Sequence, residues 1–221
     1  MAVVILGCGG AITSDDWPEI NDIAESEYRE IPATPGRSDV DPVLKTVRDG
    51  HLVVAGTDAD LAAVVLRMLR TERLDVAVGY LPADPASPVA RLWGLPTRRV
   101  ELLATAVSGT VRAVPLVRDD AGGVLLGSGV LAQVSGVVYC DDATALRGTA
   151  ERLEVAPDPA AGLVVRVTDR RLLRRRTRTL PGRAVQFGGD PVAPSRDGVA
   201  YPRPMTRWTW YRHTADLRAV R

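Results

Sequence analysis

The clearest pattern of apolar and polar positions runs from residue 51 to residue 96. Two apolar runs, at residues 52–55 and 76–81, flank a segment whose apolar residues fall at i, i+3, i+4 and i+7. These residues are Leu61, Val64, Val65 and Met68. The spacing predicts a strand, an amphipathic helix and a second strand. This order implies a parallel pair with a right-handed crossover, and hence an open α/β sheet whose ligand site lies at the carboxyl ends of the strands.

The segments around this core carry weaker signals. Residues 19–30 are acidic and predict at best a weakly amphipathic helix. Ser87 is a good N-cap, and Pro88 is a good first helical residue, so a short helix is predicted over residues 89–93. Residues 98–108 are read as the segment that leads out of this part of the chain.

Beyond residue 108 the pattern changes to short apolar runs separated by turns, which is typical of antiparallel sheets. Strands are predicted at residues 111–117, 124–126, 136–139, 163–167, 183–187, 199–201, 206–211 and 217–220. Trp208 and Trp210 alternate with Thr209, so both rings should lie on one face of a strand. Buried packing between the two domains is the favoured interpretation, and a stacking platform for a base is the alternative. The expected architecture is an open α/β domain (residues 1–108) followed by an antiparallel, β-rich, sandwich-like domain (residues 109–221).

Composition agrees with a globular protein, since 46% of the 221 residues are hydrophobic and 25% are charged. The two cysteines form no Cys-x-x-Cys pair, which argues against a disulfide framework. No apolar run approaches the roughly 20 residues that span a bilayer, and the first residues lack the basic start of a signal peptide. A cytoplasmic location is therefore expected, and a homo-oligomer is compatible with the sequence.

The net charge of +1 hides a basic second half, because residues 166–221 hold 14 arginines and four aspartates. The densest run begins at Arg170 and ends at Arg178. Such a run can bind an anionic membrane surface or nucleic acid. The favoured interpretation is a solvated strand edge and turn with Leu172 and Leu173 directed inward.

Two motifs at the ends of the core strands carry a family resemblance. Gly56-Thr57-Asp58-Ala59-Asp60 follows the first strand, and residues 81–91, LPADPASPVAR, follow the second and are closed by Gly94-Leu95-Pro96. In their order and spacing they resemble the nucleotide-binding core of the diacylglycerol kinase family, which shares its fold with NAD kinases. That family has a GGDGT turn, an LP-x-GT-x-ND-x-AR segment and a short G-x-P. The resemblance implies two domains with a cleft that binds ATP and Mg²⁺, and a lipid substrate.

The resemblance also implies roles for particular residues. Asp58 would be the catalytic carboxylate, and it could hold Mg²⁺ together with Asp197 of a later Asp-Gly pair. Contacts to the nucleotide would come from Gly56, Thr57, Asp60, Asp84 and Ser87. Each aspartate has an alternative structural interpretation. Asp58 could cap the helix that begins near Leu61, and Asp-Gly between strands is a common hairpin turn.

The sequence departs from the family pattern where phosphate would bind. Thr57 and Ala59 replace glycines whose bare backbone would approach an anion closely. Pro85 and Pro88 have no N–H group to donate, and Asp60 and Asp84 add negative charge. The scaffold of the family is therefore expected to be retained, whereas its phosphate cradle is expected to be degenerate.

Three functions remain open on the sequence. The first is a diverged diacylglycerol kinase-like protein whose phosphotransfer is weak or lost, and which could still bind a ligand or metal in the cleft. The second is an active ATP-dependent lipid kinase that uses Asp58. The third is a non-catalytic protein that binds a partner or an anionic surface. A metallopeptidase is excluded, because the only histidines, His51 and His213, have no partners at metal-binding spacing.

Overall fold

The structure is a computed structural model that describes residues 3–13, 15, 17–20, 23, 25–47, 50–171 and 174–221. For residues 170, 171, 174 and 175 it describes the backbone only. The chain divides into two compact units. Unit 1 comprises Met1–Val114 and Asp216–Arg221, and unit 2 comprises Pro115–Ala215.

The secondary structure of the described residues is numbered in chain order. The α-helices are α1 (Arg37–Thr46), α2 (Asp58–Arg70), α3 (Pro88–Trp93) and α4 (Arg99–Ser108). The strands of the first half are β1 (Val3–Cys8), β2 (Ser26–Ile31), β3 (His51–Gly56), β4 (Ala77–Pro82) and β5 (Val111–Val114). Those that follow are β6 (Val117–Asp119), β7 (Val124–Leu125), β8 (Gly129–Cys140), β9 (Ala143–Asp158), β10 (Gly162–Arg171), β11 (Arg174–Gly182), β12 (Ala184–Val192), β13 (Ser195–Arg196), β14 (Val199–Ala200), β15 (Met205–Arg212) and β16 (Leu217–Val220).

Unit 1 is an open α/β sheet with the strand order β2-β1-β3-β4-β16-β5. All neighbouring strands are parallel except β16 and β5. The predicted strand–helix–strand core is confirmed, since β3 and β4 are parallel and α2 connects them. The apolar face of α2 is fully buried because Leu61, Val64, Val65 and Met68 are all 0% exposed.

The carboxyl-terminal half of α4 lies very close to the sheet. A Cβ atom on Gly79, in β4, would overlap the backbone carbonyl oxygen of Ala106 in α4. The same carbonyl group is 3.1 Å from Nε2 of the buried His51, at the start of β3. Glycine at position 79 is thus required by the close approach of helix and strand.

Replacing Gly79 with alanine should therefore destabilise unit 1. The added methyl group meets the backbone of Ala106, so the helix must move outward, and overpacking of this kind costs about 2–3 kcal/mol. Urea unfolding would measure the loss. Gly188→Ala in β12 is the matched control, because a Cβ atom there meets nothing within 4 Å. Equal losses in the two variants would contradict the close approach.

The buried His51 gives the fold a pH dependence of known sign. Burial lowers the pKa of His51 below its ordinary value of 6.5, and the hydrogen bond to Ala106 only partly opposes this. The folded chain thus keeps the imidazole neutral while the unfolded chain protonates it below about pH 6.5, so the stability falls as the pH falls.

We expect the free energy of unfolding to be lower at pH 5.5 than at pH 7.5, and His51→Gln to reduce that difference. His213 of unit 2, whose pKa is also lowered by burial and by Arg118 and Arg212, provides the comparison variant His213→Gln. Denaturant titrations at the two pH values would test this. An unchanged pH dependence in His51→Gln would rule out the buried neutral imidazole as its source.

The predicted helix over residues 19–30 is wrong. Within its described residues the chain forms a short 3-10 turn (Pro18–Ile20) and then strand β2. Glutamate favours helix, but pairing of β2 with β1 over six residues overrides this weak local preference. Helix α4 was not predicted, whereas Ser87 caps α3 as expected, because its hydroxyl group accepts the N–H of Ala90.

Unit 2 is an antiparallel sheet with the strand order β11-β10-β9-β8-β12-β15-β6-β7, and β13 pairs with β8 and β14. Strands β6 and β7, which overlap the predicted strands at residues 111–117 and 124–126, form an antiparallel hairpin. Strands β9 and β11 were missed, and β8 is much longer than predicted. The sequence placed a domain boundary between residues 108 and 109. In the structure β5 belongs to unit 1, and β16, expected in the β-rich part, lies between β4 and β5.

The core of unit 2 is built around two tryptophans of β15. Trp208 and Trp210 are 2% and 0% exposed, as predicted for neighbours on one strand face. Their ring centroids lie 6.0 Å apart at an interplanar angle of 69°, an edge-to-face arrangement. The predicted burial of the pair is therefore confirmed, and the hydrophobic cluster to which the two rings belong consists of residues of unit 2.

The arginine-rich run lies in two antiparallel strands, with Arg170 paired to Arg175 and Arg171 to Arg174. The predicted inward orientation of residues 172 and 173 falls outside the described residues. The side chains of Arg176 and Arg178 are exposed on β11, which is at the end of the sheet order. This agrees with the strand-edge interpretation, and binding of an anionic surface stays a prediction.

Candidate functional site

The candidate site begins at the amino terminus of α2, where side chains of the protein itself form hydrogen bonds with backbone N–H groups. Thr57 is the N-cap residue, and its hydroxyl oxygen accepts the N–H of Asp60. The Asp60 carboxylate in turn accepts the backbone N–H of Thr57 at 2.8 Å and the Thr57 hydroxyl group at 2.7 Å. This reciprocal arrangement is a capping box.

Asp60 also reaches outside its own helix. Its second carboxylate oxygen accepts the N–H of Thr34 at 2.6 Å, from the segment that precedes α1. The side chain is only 2% exposed, and a Cβ atom on Gly56 would lie 2.8 Å from the same carboxylate. Gly56 therefore has a packing role, since it leaves room for Asp60.

Asp58 joins the start of α2 to β4 and to the start of α3. One carboxylate oxygen accepts the hydroxyl groups of Tyr80 at 2.7 Å and Ser87 at 2.5 Å. The other accepts the N–H of Val89 at 3.3 Å. Burial, and then the charge of Asp58, raise the pKa of Tyr80 well above its usual range, so that its hydroxyl group stays protonated and remains a donor.

A cysteine lies behind this cluster at the end of β1. Cys8 is fully buried, and a Cβ atom on Gly56 would lie 3.0 Å from its Cβ. Burial, with a smaller contribution from the Asp60 charge, raises the pKa of the Cys8 thiol to about 12. Because the thiolate is the reactive form, Cys8 has no role as a nucleophile at neutral pH.

The carboxylates of Asp84 and Asp197 also accept hydrogen bonds from backbone N–H groups of the chain. Asp84 is exposed and accepts the N–H of Ala86 at 2.7 Å, which shapes the loop between β4 and α3. Asp197, in unit 2, is buried, and its carboxylate accepts the N–H groups of Leu126 at 3.0 Å, Gly127 at 2.7 Å and Ser128 at 3.1 Å.

The Asp-Gly pair forms the predicted hairpin turn between β13 and β14. Asp197 and Gly198 both have positive φ angles, 47° and 86°, as a type I′ turn requires. Within the described part of the chain no group of three or more His, Cys, Asp or Glu side chains is arranged to hold a metal ion. A metal role for Asp58 and Asp197 stays a prediction.

As the structure places them, the carboxylates of Asp58 and Asp60 are engaged in a way that does not suit Mg²⁺. The ion needs near-octahedral oxygen ligands at about 2.0–2.1 Å. The carboxylates of Asp58 and Asp60 each accept three hydrogen bonds from the chain itself. Binding a cation at either residue would break this network, so we derive no step through a metal.

From the sequence we expected five residues to lie close together as contacts of a nucleotide, and they do lie close together. They are Gly56, Thr57, Asp58, Asp60 and Ser87. Their contacts with one another were missed. One signal was available, since Thr57 and Asp60 have the T-x-x-D spacing of a capping box. The partnership of Asp58 with Tyr80 and Ser87 depends on the parallel pairing of β3 and β4 and has no local signal.

Comparison with known protein structures identifies the fold class. The structure is similar to a diacylglycerol kinase from Bacillus anthracis, with a TM-score of 0.74 and 10% identity over 99% of this chain and 96% of that one. It is also similar to an NAD kinase from Archaeoglobus fulgidus in complex with ATP, with a TM-score of 0.62 and 11% identity over 100% and 94% of the two chains. No family model matches the chain, and no curated protein matches it in sequence.

The chain therefore has the mixed α/β fold of the diacylglycerol kinase-like and NAD kinase-like proteins, as the resemblance implied. At this identity the similarity defines the fold alone. None of the helices in the described ranges is both long enough and apolar enough to cross a membrane.

Proposed function

We propose that the chain is a diacylglycerol kinase-like protein in which phosphoryl transfer from ATP is weak or lost. The observation that carries the proposal is the buried carboxylate of Asp60 at the start of α2. This carboxylate accepts hydrogen bonds from the N–H groups of Thr57 and Thr34, so both donors already face a negative charge of the protein itself.

A helix amino terminus binds phosphate through unpaired N–H groups and the positive end of its dipole. At α2 the carboxylate of Asp60 already lies at this positive end, where it accepts the N–H of the N-cap residue Thr57, and the Thr57 hydroxyl oxygen accepts the N–H of Asp60. A triphosphate would have to displace it or lie beside it, and two like charges at close range in a buried site are unfavourable. Displacement would also leave the Asp60 carboxylate buried without its three donors.

The start of α3 supports the same conclusion. Pro88 has no N–H group, Val89 donates its N–H to Asp58, and Ala90 donates its N–H to Ser87. The first turn of α3 thus keeps no free donor among these three residues. Phosphoryl transfer depends almost entirely on positioning and charge neutralisation. At both helix starts, several donors that could position a phosphate are bound instead by the chain's own carboxylate and hydroxyl groups.

The alternative is an active ATP-dependent lipid kinase. It is favoured by the similarity to an NAD kinase in complex with ATP, which indicates that this fold can bind the nucleotide. In that case Asp58 would have to exchange its bonds to Tyr80 and Ser87 for contacts with substrate.

ATP binding separates the two functions. Thermal melts of the chain with millimolar ATP and Mg²⁺, alone and together, should show no stabilisation, and no phosphate should be transferred to diacylglycerol. A diacylglycerol kinase of the same fold, treated in parallel, is the positive control. A ligand at 100 times its dissociation constant would stabilise the chain by about 2.7 kcal/mol.

Stabilisation by ATP that requires Mg²⁺, together with transfer to diacylglycerol that Asp58→Asn abolishes, would overturn the proposal. Asp39→Asn is the control variant, because Asp39 also lies in the first turn of a helix, α1, where it accepts the N–H of Gly36 at 2.8 Å. An active kinase would lose transfer in the first variant and retain it in the second.

A further inference from the structure

Unit 1 contains a half-open pocket of about 500 Å³ apart from the capping cluster. Its walls come from the segment after β1, the segment after β4, and α3 and α4 with their connection. Ile12, Leu95 and Leu102 contribute aliphatic side chains. The volume lies within the range of roughly 300–1,000 Å³ that is usual for small-molecule sites.

The lining offers few hydrogen-bonding groups. Pro82, Pro85 and Pro96 have no N–H to donate. Among the described residues, the charged side chains in the lining are those of Arg91 and Arg99, with no carboxylate beside them. A ligand with an apolar body and a negative group therefore matches the pocket, whereas a cation or a sugar does not.

The two arginines differ in their freedom to bind an anion. The guanidinium of Arg99 lies over the ring of Trp17, 4.6 Å from its centroid, and donates to Glu19 at 2.8 Å. Arg91 is exposed, and within the described ranges its guanidinium has no hydrogen-bond or ion-pair partner. Arg91 is thus the group that can bind a carboxylate in bidentate fashion.

The position of Arg99 also bears on which kind of apolar group in a ligand fits the pocket. Because its guanidinium covers a face of Trp17, that face cannot stack on an aromatic ligand. Apart from Arg91, the other side chains of the lining are aliphatic residues and prolines together with Thr97, and they pack against a flexible chain as well as against a ring. An acyl chain is therefore the better fit.

We propose that this pocket binds an aliphatic carboxylate of medium chain length, with the chain in the pocket and the carboxylate at Arg91. The inference goes beyond the proposed function, because it requires neither ATP nor phosphoryl transfer. The same chemistry occurs in free fatty acids and in anionic lipid surfaces, and the walls that three parts of the chain build around this half-open pocket point to a single free molecule.

Isothermal titration of the full chain with dodecanoate, below its micelle concentration, tests the proposal. Acetate, dodecanol and dodecyltrimethylammonium are the comparison ligands, and each should bind at least tenfold more weakly. Vesicles of phosphatidylglycerol form a separate arm. Binding to the vesicles without binding to free dodecanoate would indicate a surface contact and would overturn the proposal.

Two pairs of variants locate the binding. Arg91→Gln should weaken dodecanoate binding at least tenfold, whereas Arg98→Gln, which changes an exposed arginine paired with Glu101, should change it less than twofold. Ala83→Phe should fill the pocket and abolish binding, whereas Ala86→Phe, in the same exposed loop but outside the lining, should not.

The far-ultraviolet circular dichroism of each variant shows that it is folded. No binding of dodecanoate to the wild type at 1 mM, wild-type binding by Ala83→Phe, or equal affinity for the carboxylate and the ammonium compound would each overturn the assignment.

Discussion

Asp60→Ala should lower the free energy of unfolding by about 3–5 kcal/mol, because it removes an acceptor of three hydrogen bonds and leaves their donors without a partner. Those donors are the N–H and hydroxyl groups of Thr57 and the N–H of Thr34. The loss should exceed that of an ordinary capping residue, about 1 kcal/mol. It is greater because the Asp60 side chain is buried and joins α2 to a distant segment.

Asp39→Ala is the natural control, since Asp39 occupies the equivalent position in α1 and accepts the N–H of Gly36. The carboxylate of Asp39 has partners only within its own turn, so its loss should cost about 1 kcal/mol or less. Urea titrations followed by circular dichroism would give both values. Losses of equal size would show that the bond to Thr34 adds nothing, and would weaken the argument that Asp60 is fixed in place.

Trp210→Ala should destabilise unit 2 by about 3–5 kcal/mol, the usual cost of emptying a fully buried aromatic site. The ring is 0% exposed and packs edge-to-face against Trp208. Trp210→Phe should recover most of the loss. Phenylalanine keeps much of the packing, and it removes an indole N–H that has no hydrogen-bond partner within the described ranges.

Tyr211→Ala is the control for Trp210→Ala. Tyr211 lies on the opposite face of β15 and is half-buried, so its truncation should cost much less. Denaturant unfolding of the three variants, followed by tryptophan fluorescence and circular dichroism, would rank them. A loss for Tyr211→Ala as large as that for Trp210→Ala would contradict the one-sided core.

The sequence predicted best what depends on near neighbours. The apolar spacing in α2, the runs in β3 and β4, and the cap at Ser87 all rest on contacts within a few residues. Strand β2 was read as helix because Glu27 and Arg29 are solvated on an edge strand, and only the distant β1 fixes its conformation. Strand β9 was missed because its register with β8 shifts between Thr144 and Leu146. Ala145 and Leu146 are therefore both buried, and the alternation of side chains is broken.

The same distinction holds at the candidate site. Asp58 and Asp60 were identified as important from the motif, but a motif does not reveal which atoms a carboxylate faces. Asp60 meets Thr34 across 26 positions of sequence, and Asp58 meets Ser87 across 29. Such contacts exist only after the sheet has paired. The sequence therefore indicated where the site lies. Only the structure shows that the carboxylates of Asp58 and Asp60 accept hydrogen bonds from the protein itself.

The connection of the two units has a consequence for biosynthesis. Val114 at the end of β5 and Leu217 at the start of β16 are antiparallel partners, although all of unit 2 lies between them in the chain. A ribosome thus produces the whole of unit 2 before it produces β16. Until then β4 has an unpaired edge, which invites pairing with other chains. We expect the nascent chain to depend on chaperones during this interval, since the unit that is begun first is completed last.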